Sequence, residues 1–215
     1  MLAPSECQIM ISNKDINEVF NKIEAAKTVS QLRDLSKEYE LEFNEVKYPD
    51  FRFGSLSYDE LKSLTYEDCA PNEDSPIQWK LLYSIVWKQG DLSKLGGIIE
   101  GAKSVFCTQK SDEEHYKSDD NKNRLVFFQF GRHLANPRQE PIIDQHTLRA
   151  FGKWKGNYSE TKTSKEGLKQ YISLIIEYKK WYNKAWFNQR NVREHNYKRT
   201  LDKLVFSIGK ALKNT

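Results

Sequence analysis

With 215 residues the chain is long enough for a sizeable core and, at the usual ~100 to 200 residues per domain, reads as one compact domain. Aromatic residues make up 13% of it, which excludes the composition of a disordered chain, and the odd, widely spaced Cys7, Cys69 and Cys107, without a CxxC spacing, suggest neither a disulfide framework nor a zinc site. The net charge of +4 is uneven: residues 151 to 215 hold 15 Lys/Arg against 5 Asp/Glu, hence +10, leaving −6 for residues 1 to 150.

Ile16, Val19, Phe20 and Ile23, then Leu32, Leu35 and Tyr39, recur at helical spacing, so residues 13 to 43 read as two amphipathic helices. Pro49 and Gly54 break the pattern, and Ser57 followed by Glu60 is a capping-box start for a short helix to about Tyr66. A helix begins at Ser75, with Pro76 in its first turn and Gln78 completing the box, and ends at Gly90. Its body, IQWKLLYSIVWK, is apolar almost all round and is expected to run through the core.

Asp91 can cap a helix carrying Leu92, Leu95, Ile98, Ile99 and Ala102, and CTQKSDEEHYKSDDNK then reads as an unpatterned charged loop. The apolar helix RLVFFQFGRHL follows, then the loop ANPRQEP and a short helix begun by Asp144 and stopped by Gly152. A long helix spans about Ser164 to Phe187, and a last one starts near Tyr197. No segment alternates with period two, so the fold class is all-α, a multi-helix domain with residues 1 to 74 as a support region and 75 to 215 as the working part.

No window approaches the ~20 apolar residues of a membrane span, and MLAPSECQIMISNKD lacks a basic stretch followed by a long apolar one. A cytoplasmic location is expected, with no cofactor, no metal and no membrane partner. The basic segment is interleaved with Trp154, Tyr158, Tyr171, Tyr178, Trp181, Tyr182, Trp186 and Tyr197, so its cations can meet phosphates and its rings bases. Most of these rings, however, read as a core stripe behind a solvated lysine face.

The most informative stretch is FFQFGRHLANPRQEPIIDQHTLRAFG, residues 127 to 152, in which Pro-Ile-Ile-Asp opens a helix after a Pro-bounded loop. It resembles the helix-hairpin-helix DNA glycosylases, in particular the bacterial proteins with an 8-oxoguanine glycosylase fold. The likeness runs from about residue 77 to the end, where YKRTLDKLVFSIGKALK resembles their closing helix. It implies a DNA-binding protein, with double-stranded DNA as partner, that excises a damaged or modified base, and by analogy a role in defence against phage.

Asp144 matches the family's aspartate, which stabilises the sugar cation or activates a lysine or water, and Gln145 stands beside it. Lys122 is the residue nearest the place of the lysine of lyase-competent members. Arg132, Arg149, Lys153, Lys155 and Arg190 are the candidate phosphate contacts, with Arg132 and Arg149 able to pair with Asp144 instead. Trp79, Trp87 and Phe130 are candidates for a base pocket, and His133 reads as a satisfied core or boundary histidine.

Two departures stand out: SDDNKNRL has no glycine where the family has its phosphate-binding hairpin, and Lys122 lies far from Asp144 along the chain. A plain N-cap is the competing reading of Asp144. A rival motif is RNVREHNY, whose Arg190, Asn191, His195 and Tyr197 match the R-N-x-x-x-H-x-Y pattern of HEPN ribonucleases, although Glu194 would repel an RNA phosphate. A polar turn between helices, and a non-catalytic binding module, complete the alternatives.

Overall fold

The structure is a computed structural model that describes residues 13–41, 43, 58–65, 67–70, 72–75, 81, 92–107, 111–117, 125–158, 165–187 and 194–212. Among them are nine α-helices, a 3-10 turn at Glu67–Cys69 and no strand. The helices are α1 (Asn13–Ala25), α2 (Val29–Glu38), α3 (Tyr58–Leu61), α4 (Leu92–Ser104) and α5 (Asp112–Lys117). After them come α6 (Leu125–Ala135), α7 (Gln145–Lys155), α8 (Lys165–Phe187) and α9 (Glu194–Ala211). The helix expected from Ser75 to Gly90, with Trp79 and Trp87, lies outside the described residues except for Ser75 and Leu81.

The chain divides into two compact units, Met1–Asp50 with Ile143–Thr215, and Phe51–Ile142. This differs from the expected division at residue 74. The first two helices pack with the last three, which sequence periodicity alone does not reveal because it records which face is apolar, not what covers it.

In the first unit, α9 packs chiefly against α7 and also against α2, while α1 packs against α7 and α2. The apolar stripe of α1, Ile16, Val19, Phe20 and Ile23, is buried. The Tyr197 hydroxyl donates to the Ala26 carbonyl at 2.9 Å, and Trp181 Nε1 donates to Glu24 at 3.0 Å, tying α1 to α9 and α8. Of the rings in the basic segment, Tyr171, Tyr178, Trp181, Tyr182 and Tyr197 are buried, as a core stripe requires. A Cβ on Gly209 would strike the carbonyl of His146, so α7 and α9 cross with their backbones nearly touching.

In the second unit, α4 and α6 form the dominant pair, with α3 against α4. Their crossing is built on two glycines. A Cβ on Gly101 would meet the carbonyl of Phe128, and one on Gly131 that of Ile98.

Three expectations about local structure need correction. Residues 112–117, read as part of an unpatterned loop, form α5. Ser111 and Glu114 make a reciprocal capping box, with the Ser111 amide donating to Glu114 at 2.7 Å and the Glu114 amide to Ser111 Oγ at 3.3 Å. Gly152 does not stop α7, which runs on to Lys155. Gly156, at φ 70°, is the terminating left-handed residue, and the amides of Gly156 and Asn157 donate to Lys153 and Gly152. The last helix also begins earlier than expected, at Glu194 instead of Tyr197.

Candidate functional site

Pro141 to Ile143 are not helical, and Asp144 takes extended backbone angles as the N-cap of α7. Its Oδ1 accepts from the amides of His146 and Thr147, both at 2.8 Å, satisfying two donors that the first helical turn leaves open. Both bonds converge on one oxygen, so Oδ2 is not used by the cap. Burial, and after it the charge of Asp144, push the Tyr171 phenol well above its ordinary range. Tyr171 therefore stays neutral within electrostatic reach of Asp144. Gln145 next to it is exposed.

Neither arginine offered as a partner for Asp144 or a phosphate is placed for that role. Arg149 is buried, and its Nη1 donates to the Gly209 carbonyl and to His146 Nδ1, both at 3.0 Å, bridging α7 to α9. Arg132 is buried in the other unit, where its Nη2 meets Glu140 at 2.7 Å and its Nη1 donates to Ser104 Oγ at 2.8 Å. Both guanidiniums are committed to packing, because a buried cation needs partners where water cannot reach it.

Around Glu140 lies a polar network that sequence reasoning missed. Tyr116 donates to Gln129 Oε1, and Gln129 Nε2 donates to Glu140 and to the Pro141 carbonyl, both at 3.1 Å. The ring of His133 meets the Glu140 carbonyl at 2.7 Å, which fixes Nδ1 as the protonated nitrogen and leaves this histidine satisfied, as expected of it. The network holds the loop ANPRQEP against α5 and α6. Phe130 stacks on His133 with centroids 6.4 Å apart.

The remaining candidates lie at the surface or outside the described residues. Lys155 is exposed, and half-buried Lys153 reaches the Leu212 carbonyl at 3.5 Å. On α8 the exposed stripe is Lys169, Gln170, Ser173, Glu177, Lys180 and Lys184. Lys122, Arg190 and Asn191 lie outside the described residues, and His195 falls in the first turn of α9. Tyr197, the last member of the ribonuclease pattern, is buried with its hydroxyl on Ala26, a core role.

No group of three His, Cys, Asp or Glu among the described residues is arranged to hold a metal ion, and no helix among them is long and apolar enough to cross a membrane. Comparison with protein-family models, with curated proteins and with solved structures finds no match to this chain.

Proposed function

We propose that this protein binds DNA through the solvent face of α7, α8 and α9. The observation that carries the reading is which charges those helices leave at the surface. Among the residues from 151 onward whose side-chain exposure is described, Lys153, Lys155, Lys169, Lys180, Lys184, Arg199 and Lys210 are exposed or half-buried, against the single exposed carboxylate of Glu177. Asp202 is buried, accepting from the Tyr178 and Tyr182 hydroxyls at 3.2 and 3.4 Å. A surface so biased attracts a polyanion and releases its counterions on contact.

Fluorescence anisotropy with a labelled duplex tests this. The affinity should fall steeply with salt, by about 0.9 in log–log slope per phosphate neutralised. Reversing Lys155, Lys180 and Lys184 to Glu should weaken binding and lower that slope by up to about 3. A flat salt dependence in the wild type would rule the reading out.

A second reading, excision of a modified base on a glycosylase-like fold, is favoured by one observation. The Pro141-Ile142-Ile143-Asp144 segment sets a carboxylate at a helix N-terminus, as the resemblance implies, with Oδ2 left over from the cap. That oxygen can face a developing oxocarbenium ion. Asp144→Asn preserves capping, so loss of alkali-sensitive strand breaks in this variant would report on chemistry and not on folding. Breaks that persist in it would remove Asp144 from the reaction.

A further inference from the structure

Trp154 stands on the last turn of α7, beside the cationic surface. Phe20 lies flat against one face of its indole, with centroids 4.4 Å apart and planes 8° from parallel. Phe151 and Trp181 meet it edge-on at 5.5 and 5.7 Å. The Lys155 ammonium sits over the ring, 3.5 Å from its centroid. A ring stacked at 4.4 Å leaves no space for an ammonium on the same side, so Lys155 covers the face opposite Phe20. Trp154 is half-buried and Phe20 fully buried, so the indole face against Phe20 is closed to solvent.

This arrangement is a flat aromatic platform, fixed from behind by a buried ring and covered in front by a mobile type of side chain that also binds phosphate. Behind the platform, Trp181 Nε1 donates to the Glu24 carboxylate of α1 at 3.0 Å. We propose that Trp154 and Lys155 form a site for an unpaired base of single-stranded DNA, an inference that rests on the reading of α7 to α9 as a DNA-binding surface. The base replaces the ammonium on the indole face, and Lys155 swings to the flanking phosphate. A stacked base is held more strongly than a cation over an exposed ring, and the displaced cation gains a new anionic partner, so the exchange runs toward the bound state. Bases inside a duplex have both faces covered by their neighbours, so the platform selects single strands.

The test compares a dye-labelled oligothymidine with the same strand paired to its complement, by anisotropy at graded salt, using the full chain. The wild type should prefer the single strand. Trp154→Leu should weaken single-strand binding at least about fivefold while leaving duplex affinity in place. Lys155→Gln should keep the preference but lower the single-strand salt slope by about 0.7, the value of one phosphate. Salt-dependent binding that is indifferent to strandedness would overturn the site, as would undiminished single-strand binding by a folded Trp154→Leu. Should that variant not fold, Trp154→Phe retains a ring against Phe20 and must weaken the single strand more than the duplex, an equal effect on both being a refutation. Failure of the wild type to bind either form would instead sink the DNA-binding reading itself.

Discussion

Arg132, a candidate phosphate contact in the sequence, becomes structural in the fold through its partner Glu140. Its carboxylate accepts from Arg132 and Gln129, its carbonyl holds His133, and all but the histidine are buried. Removing one member of a buried charged pair leaves the other desolvated without its partner, which costs about 3–5 kcal/mol. Glu140→Ala is therefore expected to lower the urea midpoint sharply at unchanged m-value. The double variant Arg132→Met/Glu140→Leu should recover most of the loss, since an apolar pair of similar volume removes both desolvation penalties. A Glu140→Ala midpoint equal to wild type would mean that the network contributes nothing. The contrast is Lys22, whose ammonium meets Glu18 at 2.7 Å and is held well above its ordinary value by that carboxylate first and Glu38 second. That cluster is solvent-exposed and screened, so Lys22→Ala should shift the midpoint far less.

Among elements, the α4–α6 crossing depends on atoms that are not there. Alanine ordinarily favours a helix over glycine by about 1 kcal/mol, yet a methyl at Gly131 meets the Ile98 carbonyl and the Ala102 amide, which are backbone and cannot turn away. The overpacking term, about 1–3 kcal/mol or more, wins over the propensity gain. Gly131→Ala is expected to destabilise the protein by about 2 kcal/mol in chemical denaturation, and a stabilised variant would show that the helices can separate at no cost. The same crossings explain what was legible in the sequence. The pattern of apolar residues was enough to place α1, α2, α4, α6, α8 and α9, although α9 is buried on nearly all sides from Tyr197 to Gly209 and not along a single stripe. It mistook Gly152 for a stop, since a glycine that admits Leu174 and Tyr158 looks the same as one that ends a helix. It missed α5 although Ser111-Asp112-Glu113-Glu114 spells a capping box, because the surrounding charge hid the pattern.

At the scale of the whole chain, the candidate site was legible only in part. Pro-Ile-Ile-Asp does put Asp144 at a helix start, but charge and spacing did not say that Arg132 and Arg149 would turn inward, because burial is decided by contacts distant in sequence. The same distant contacts make the unit formed by Met1–Asp50 and Ile143–Thr215 sensitive to alkali. Burial pushes the Tyr171, Tyr178 and Tyr197 phenols above the ordinary value of 10.0, aided at Tyr171 by Asp144 and at Tyr178 by Asp202. Their raised folded-state values mean that folding favours the neutral phenol. The stabilisation is then fully present below about pH 10 and is lost as pH rises through the folded values, where the unfolded chain can ionise and the folded one cannot. An alkaline titration should accordingly show the tyrosinate absorbance of these residues appearing in one cooperative step, together with the loss of helical circular dichroism. Tyr178→Phe should reduce the amplitude of that step by one phenol and move it to higher pH, because the variant has one ionisation fewer to gain on unfolding. A gradual titration with the helices intact would mean that these hydroxyls reach water in the folded protein, and that the aromatic stripe is not the closed core on which α1, α2 and the cationic helices are assembled.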